Sequence, residues 1–122
     1  MGFKERLHRV LASQAEIEAD EERAAAARSS GCTPVADLRD RARARVTGVL
    51  RSVTLRPREE VPALEAELYD GTGTIDLVWL GRREIHGVEP GRRLCAEGLV
   101  CLVDGRRTVF NPRYDLAPRP GE

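Results

Sequence analysis

Five runs in which apolar and polar residues alternate follow Pro34, and turn signals separate them. Such alternation is typical of β-strands with one buried face, because successive side chains of a strand point to opposite sides. The turn signals at residues 70–73 ("DGTG") and 104–105 ("DG") are typical of tight hairpins, which need residues that tolerate positive φ. The predicted strands span residues 43–55, 63–70, 74–80, 93–104 and 106–112.

The order of these elements predicts a closed barrel. Five strands with one short helical insert, placed in residues 81–91 between the third and fourth strands, is the order of the OB-fold, a Greek-key barrel. Gly48 and Gly98 lie inside predicted strands, where glycine is costly unless the strand bends or another backbone comes close. The alternation alone would also fit an SH3-like barrel, and the insert favours the OB-fold. We therefore predict an all-β, five-stranded OB-fold Greek-key barrel.

The start of the chain has a different period. Phe3, Leu7, Val10 and Leu11 recur at three- and four-residue spacings, with no proline or glycine between residues 3 and 28. This spacing predicts an N-terminal α-helix that precedes the barrel. The predicted organisation is a helical extension (1–30), a linker (31–36), the OB-fold domain (37–116) and a C-terminal tail (117–122).

Charge and cysteine content limit the possible functions. The chain has 20 basic and 20 acidic residues, so its net charge does not indicate a nucleic-acid-binding protein. Any affinity for nucleic acid must come from local clusters of basic residues. Three cysteines without a CxxC pair, and two distant histidines, do not meet the spacing of a zinc site. No nucleophile lies beside a base, so we predict no catalytic residue, no metal and no cofactor.

The chain also lacks the sequence marks of a membrane or secreted protein. No apolar run approaches the roughly 18–20 residues that a membrane-spanning helix needs. Charged residues stand at the start, where a secretory signal would need an apolar stretch. We expect a cytoplasmic protein that does not enter a membrane.

Three segments resemble known OB domains: "VADLRDRARARVTGVLRSV", "LEAELYDGTGTIDLVWLGRR" and "EPGRRLCAEGLVCLVDGRRTVFNP". They are similar to the wedge domain of RecG-type branched-DNA helicases and to OB domains in the anticodon-binding parts of aminoacyl-tRNA synthetases. They also resemble short actinobacterial proteins with an OB-fold nucleic-acid-binding domain. The resemblance covers about residues 34–116 and implies a module that contacts nucleic acid. The chain has no GxxxxGK[ST] phosphate loop, so the resemblance gives no support for unwinding activity.

OB-folds bind ligands on the outer face of their second and third strands, between the loops that join strands one to two and four to five. Single strands are held there by stacking on aromatic rings and by cations along the phosphates. The candidate nucleic-acid-binding residues chosen on this basis are Arg51, Arg56, Arg58, Tyr69, Trp79, Arg82, Arg83, Arg106 and Arg107.

Two features of the predicted face leave alternatives open. Strict alternation places Trp79 in the core with Ile75 and Leu77, whereas a bulge would turn it outwards as a stacking platform. Phe110 is predicted as core, and Tyr69 is the best exposed aromatic candidate. Outward-facing carboxylates, led by Glu65, Glu67 and Asp76, would repel phosphates.

Two hypotheses for function follow. The first is a non-enzymatic module that binds single-stranded or branched DNA, or RNA, weakly and with tolerance of sequence, DNA being favoured over RNA. The alternative is a protein-interaction adaptor that uses the acidic barrel face and the N-terminal helix, through which the chain could also self-associate.

Overall fold

The computed structural model describes residue 16, residues 31–57 and residues 61–118. Six strands lie within these ranges, after a short 3₁₀ helix at Val35–Asp37. The strands are β1 (Arg43–Arg56), β2 (Ala63–Tyr69), β3 (Thr74–Leu80), β4 (Arg93–Val103), β5 (Arg106–Phe110) and β6 (Arg113–Leu116). The predicted N-terminal helix falls on residues 1–15 and 17–30, outside the described part of the chain.

The first five strands form a closed ring. The order is β1-β2-β3-β5-β4, and β4 pairs back with β1 to close the barrel. The β3–β5 pairing is parallel, and the other pairings are antiparallel. The prediction of an all-β barrel with five ring strands is therefore confirmed. The short β6, which the sequence did not indicate, pairs with β4 outside the ring.

The predicted helical insert between β3 and β4 is wrong. Residues 81–92 form turns, and no helix is assigned in this connection, all of which the structure describes. Gly81, Gly87 and Gly91 adopt φ values of 79°, 82° and 87°, which interrupt any helix because a right-handed helix needs negative φ. Two turns remain, closed by the hydrogen bonds from the Val88 N–H to the Ile85 carbonyl at 3.0 Å and from the Arg92 N–H to the Glu89 carbonyl at 3.1 Å.

The core lies inside the ring. Inward side chains of four different strands, among them Leu50, Leu68, Leu77 and Leu94, are at most 1% exposed. Val35 from the 3₁₀ helix is also fully buried in this cluster. The segment that the sequence predicts as a linker, residues 31–36, is therefore attached to the barrel.

Asp70 fixes this segment to the β2–β3 hairpin. The side chain is 1% exposed, and its Oδ2 accepts the Val35 N–H at 2.8 Å. Its Oδ1 accepts the Thr72 N–H at 2.9 Å, the Thr72 hydroxyl at 2.7 Å and the Gly73 N–H at 3.2 Å. A buried carboxylate is tolerated here because donors surround it.

The strand glycines allow the ring to close. A β-carbon at Gly48 would overlap the Tyr69 carbonyl oxygen, and one at Gly98 would lie 2.5 Å from Val109 Cγ1. A register shift between Leu50 and Ser52 adds a bulge where β1 leaves β4 for β2. Bulges and glycines are the usual devices by which a strand bends in a barrel. At Gly48 another backbone comes close, which is one of the two predicted reasons for a strand glycine, whereas at Gly98 the close neighbour is a side chain.

Candidate functional site

A groove of about 480 Å³ lies on the outer face of β2 and β3. The second half of β1 forms one wall, and the hairpin between β4 and β5 forms the other. Polar residues occupy it because the apolar alternates of the same strands face the core. The charged side chains that line the groove are Arg56, Glu65, Glu67, Asp76, Asp104 and Arg106.

Strand register brings these side chains into adjacent rows. Glu67 pairs with Asp76, and Asp76 pairs with Thr108 of β5. The next row contains Glu65 and Val78 and ends at Phe110. Directly opposed residues share a face, so the carboxylates converge on the floor of the groove.

Arg106 is bound by the floor of the groove. Its Nε donates to Asp76 Oδ2 at 2.7 Å, and its Nη2 donates to Asp76 Oδ1 at 2.9 Å and to Glu67 Oε2 at 3.2 Å. The hydrogen bonds and charge of Asp76, with a smaller effect of Glu67, raise the pKa of Arg106. The guanidinium is more than half exposed, so solvent screens the pair, and we expect it to contribute little to stability.

Arg56 is paired in the same way on the opposite wall. Its Nε donates to Glu65 Oε2 at 2.8 Å. Among the described side chains that line the groove, four are carboxylates and two are guanidinium groups. The described part of the groove is therefore acidic in sum, as the sequence suggested.

Tyr69 lies beneath a cation. The Arg51 guanidinium carbon is 3.5 Å from the centroid of the Tyr69 ring, which is within the range of a cation–π interaction. The β1 bulge spans Arg51, which falls between Leu50 and Ser52. One face of the ring is thus covered, and a base could stack on it only if Arg51 moved.

Trp79 is a core residue, which corrects its inclusion among the binding residues. Its side chain is 5% exposed, and its Nε1–H donates to the Pro112 carbonyl at 3.3 Å. The Tyr114 ring packs edge-on against it, with centroids 5.6 Å apart. The strict alternation of β3 therefore holds, and the ring offers no surface for a base.

The remaining predicted arginines do not converge on the groove. Arg82 and Arg83 are exposed beyond the end of β3 and do not line it. Arg107 is half-buried, and its Nη2 donates to the Ala36 carbonyl at 3.5 Å, beside the 3₁₀ helix. Arg58 lies outside the described residues.

Phe110 is an aromatic side chain of the groove that sequence reasoning missed. It was predicted as core, but it is 39% exposed and lines the groove, while its neighbour Val109 is buried. The two apolar residues are adjacent, so alternation could not decide which one faces outwards. The pairing of Phe110 with Val78 of β3 decides it.

A second charged surface lies across β1, β4 and β6, away from the groove. Arg45, Glu97 and Arg113 are aligned across these three strands, and Arg43 lies beside Leu99. Exposed Arg39 and Arg41 precede them. The repeated arginine spacing in "RDRARAR" (39–45) is the signal that could have predicted this basic surface.

Other kinds of site find no support in the part of the chain that the structure describes. No group of three or more His, Cys, Asp or Glu side chains there could hold a metal ion. No helix within the described ranges has the length and apolar character to cross a bilayer.

No family model and no curated protein matches the chain. Among solved structures, the chain is similar to RecG bound to a three-way DNA junction, with a TM-score of 0.60 and 20% sequence identity. The match covers 74% of this chain and 13% of that chain. The resemblance to RecG is therefore confirmed for the fold, which is an OB-like barrel.

Proposed function

We propose that this chain is a non-enzymatic nucleic-acid-binding module that binds single-stranded or branched DNA weakly and with little sequence preference. The observation that carries the proposal is the groove on β2 and β3, which has Arg56 on one wall and Arg106 on the other. This is the surface on which OB-folds hold extended strands. The fold likeness to RecG, solved with a DNA junction, supports the same ligand class.

The chemistry of the groove suits a single strand better than a rigid duplex. Phe110, which is 39% exposed, supplies an apolar surface on which a base can stack, and Ser52 and Thr54 supply hydroxyl groups to the groove. Stacking tolerates any base, because every base has a π-face. Low sequence preference follows.

The same groove limits the affinity. A phosphate that approaches Arg106 must compete with Asp76 and Glu67, which already hold the guanidinium. Carboxylates beside a phosphate also repel it. We therefore expect weak binding that falls as salt rises, because each phosphate contact releases a counterion.

Fluorescence anisotropy of labelled single-stranded and three-way-junction DNA over a salt series tests the proposal. The double variant Arg56→Gln/Arg106→Gln should weaken binding. It should also make the slope of log affinity against log salt concentration shallower, by the equivalent of about two phosphate contacts. The matched control Arg43→Gln/Arg113→Gln removes equal charge from the surface across β1, β4 and β6 and should bind normally. Equal losses in both variants, or no salt-sensitive binding at micromolar protein, would reject the groove as a DNA site.

A protein-interaction adaptor remains the second candidate, and the acidic groove favours it. The four described carboxylates of the groove are complementary in charge to a cationic peptide. An oligo-lysine peptide is the probe. If it binds and DNA does not, and if Asp76→Asn weakens the peptide complex, the adaptor function replaces the first.

A further inference from the structure

Two cysteines that are 63 positions apart in sequence lie beside the same arginine. The Arg45 Nε donates to Cys95 Sγ at 3.0 Å. The Arg45 carbonyl accepts the Thr33 N–H at 2.8 Å, which holds Cys32 next to β1. Cys32 and Cys95 are both free and half-buried.

The environment of the Cys32 thiol raises its pKa. Burial raises the pKa of the Cys32 thiol, and the charge of the neighbouring Cys95 and a hydrogen bond with it raise that pKa further. The hydrogen bond with Cys95 and the charges of both sulfurs raise the pKa of Arg45. The Arg45 guanidinium thus lies against the Cys95 sulfur, whereas burial disfavours the charged form of the Cys32 thiol.

Cys95 is accessible from solvent. It lies on a crevice of about 340 Å³ whose other walls include Glu97, Arg113 and Tyr114. A water molecule occupies about 30 Å³ of liquid volume, so a small peroxide fits easily. The crevice also holds Asp115, so its two carboxylates balance its two arginines, and the positive charge that contacts Cys95 is the Arg45 guanidinium. A cation beside a partly exposed thiol is typical of reactive cysteines.

We propose that Cys32 and Cys95 form a redox-active dithiol, in which Cys95 reacts with small hydroperoxides and Cys32 then closes a disulfide. The Cys95 thiolate attacks one peroxide oxygen, so an S–O bond forms and the O–O bond breaks. The peroxide is reduced, its leaving oxygen takes a proton to give water or an alcohol, and Cys95 becomes a sulfenic acid. The Cys32 sulfur then loses its proton and attacks the Cys95 sulfur, and the hydroxyl group leaves as water.

The full chain treated with hydrogen peroxide tests the proposal by alkylation and peptide mass spectrometry. The expected product is an intramolecular Cys32–Cys95 disulfide. Cys101, which is also free and half-buried, is the internal control and should keep its thiol. Cys101→Ser should form the same disulfide at the same rate.

Two further variants separate the roles of the groups. Cys32→Ser should stop the reaction at the sulfenic acid, which dimedone traps on Cys95. Arg45→Gln, at an exposed position that leaves folding intact, should slow the oxidation of Cys95 about tenfold, because the charged donor is lost. Oxidation of Cys101 as fast as Cys95, a normal rate in Arg45→Gln, or persistence of both thiols in peroxide would overturn the proposal. DNA binding plays no part in these readouts, so they stand whatever the groove binds.

Discussion

Arg106 donates two parallel hydrogen bonds to Asp76, from Nε to Oδ2 at 2.7 Å and from Nη2 to Oδ1 at 2.9 Å. This bidentate geometry adds both strength and geometric specificity to the ion pair. The guanidinium is 57% exposed, however, and exposed pairs contribute about 0–1 kcal/mol to the free energy of unfolding. The pair therefore matters more for the charge of the groove than for the free energy of unfolding.

Asp76→Asn should tighten DNA binding. The change frees Arg106 from its main partner and removes a negative charge from the path of the phosphates. A charge contact in water is worth about 1 kcal/mol at 4 Å, which corresponds to about fivefold in affinity. Glu97→Gln removes equal charge on the β1–β4–β6 surface and should leave the anisotropy titration unchanged. An equal gain in both variants would mean that only net charge matters.

Phe110→Ala should weaken the binding of single-stranded DNA. One stacked base contributes roughly 1–3 kcal/mol, so the dissociation constant should rise by about fivefold to about 150-fold. Leu102→Ala is the control, because Leu102 is 54% exposed and does not line the groove. Anisotropy at fixed salt measures both, and an unchanged affinity for Phe110→Ala would remove stacking from the proposed mechanism.

The elements that could be predicted from sequence are those that local chemistry decides. The "DGTG" turn and the alternation around it gave the β2–β3 hairpin, because positive φ at Gly71 and period-two burial are local requirements. The close approach at Gly48 could be expected because glycine in a strand is costly without a packing reason.

The errors lie where distant contacts decide. A short helical insert was predicted in residues 81–91, but this segment turns at three glycines and buries Ile85 and Val88. The pairing of Arg106 with Asp76, 30 positions away, depends on the parallel β3–β5 contact. No spacing in the sequence indicates such a pair, so the prediction did not show that the arginines of the groove are already bound to carboxylates.

Trp79→Phe should destabilise the barrel without changing DNA affinity. The substitution removes the hydrogen bond to the Pro112 carbonyl and part of the packing against Tyr114. A loss of about 1–3 kcal/mol is expected from these two effects. Urea unfolding followed by circular dichroism measures it. In the wild type, DNA should not quench the emission of this single tryptophan, and strong quenching would contradict its burial.

Gly48→Ala should destabilise the barrel more than Gly98→Ala. A methyl group at residue 48 meets the backbone carbonyl of Tyr69, which cannot move without breaking the β1–β2 register. At residue 98 it meets the Val109 side chain, which can change rotamer. Overpacking costs roughly 1–3 kcal/mol, and we place Gly48→Ala at or above the upper end. The urea midpoints of the two variants rank their stabilities. A higher midpoint for Gly48→Ala than for Gly98→Ala would show that β1 can shift away from Tyr69 within the closed ring.

Asp70→Ala should be the most destabilising single carboxylate change in the described part of the chain. The Asp70 oxygens accept three backbone N–H groups and one hydroxyl, and the carboxylate joins the 3₁₀ helix to the β2–β3 turn. Truncation leaves those donors unpaired near the core, and each unpaired buried group costs about 1–3 kcal/mol. Asp70→Asn should destabilise the protein less than Asp70→Ala, because the remaining side-chain oxygen still accepts hydrogen bonds. Some loss remains, because the amide N–H₂ group faces donors with which it cannot pair. Asp115→Ala, at an exposed position on β6, should stay within about 0.5 kcal/mol. Urea unfolding of the three variants measures the order. Equal stability of Asp70→Ala and Asp115→Ala would mean that residues 31–36 are not held to the barrel by this carboxylate.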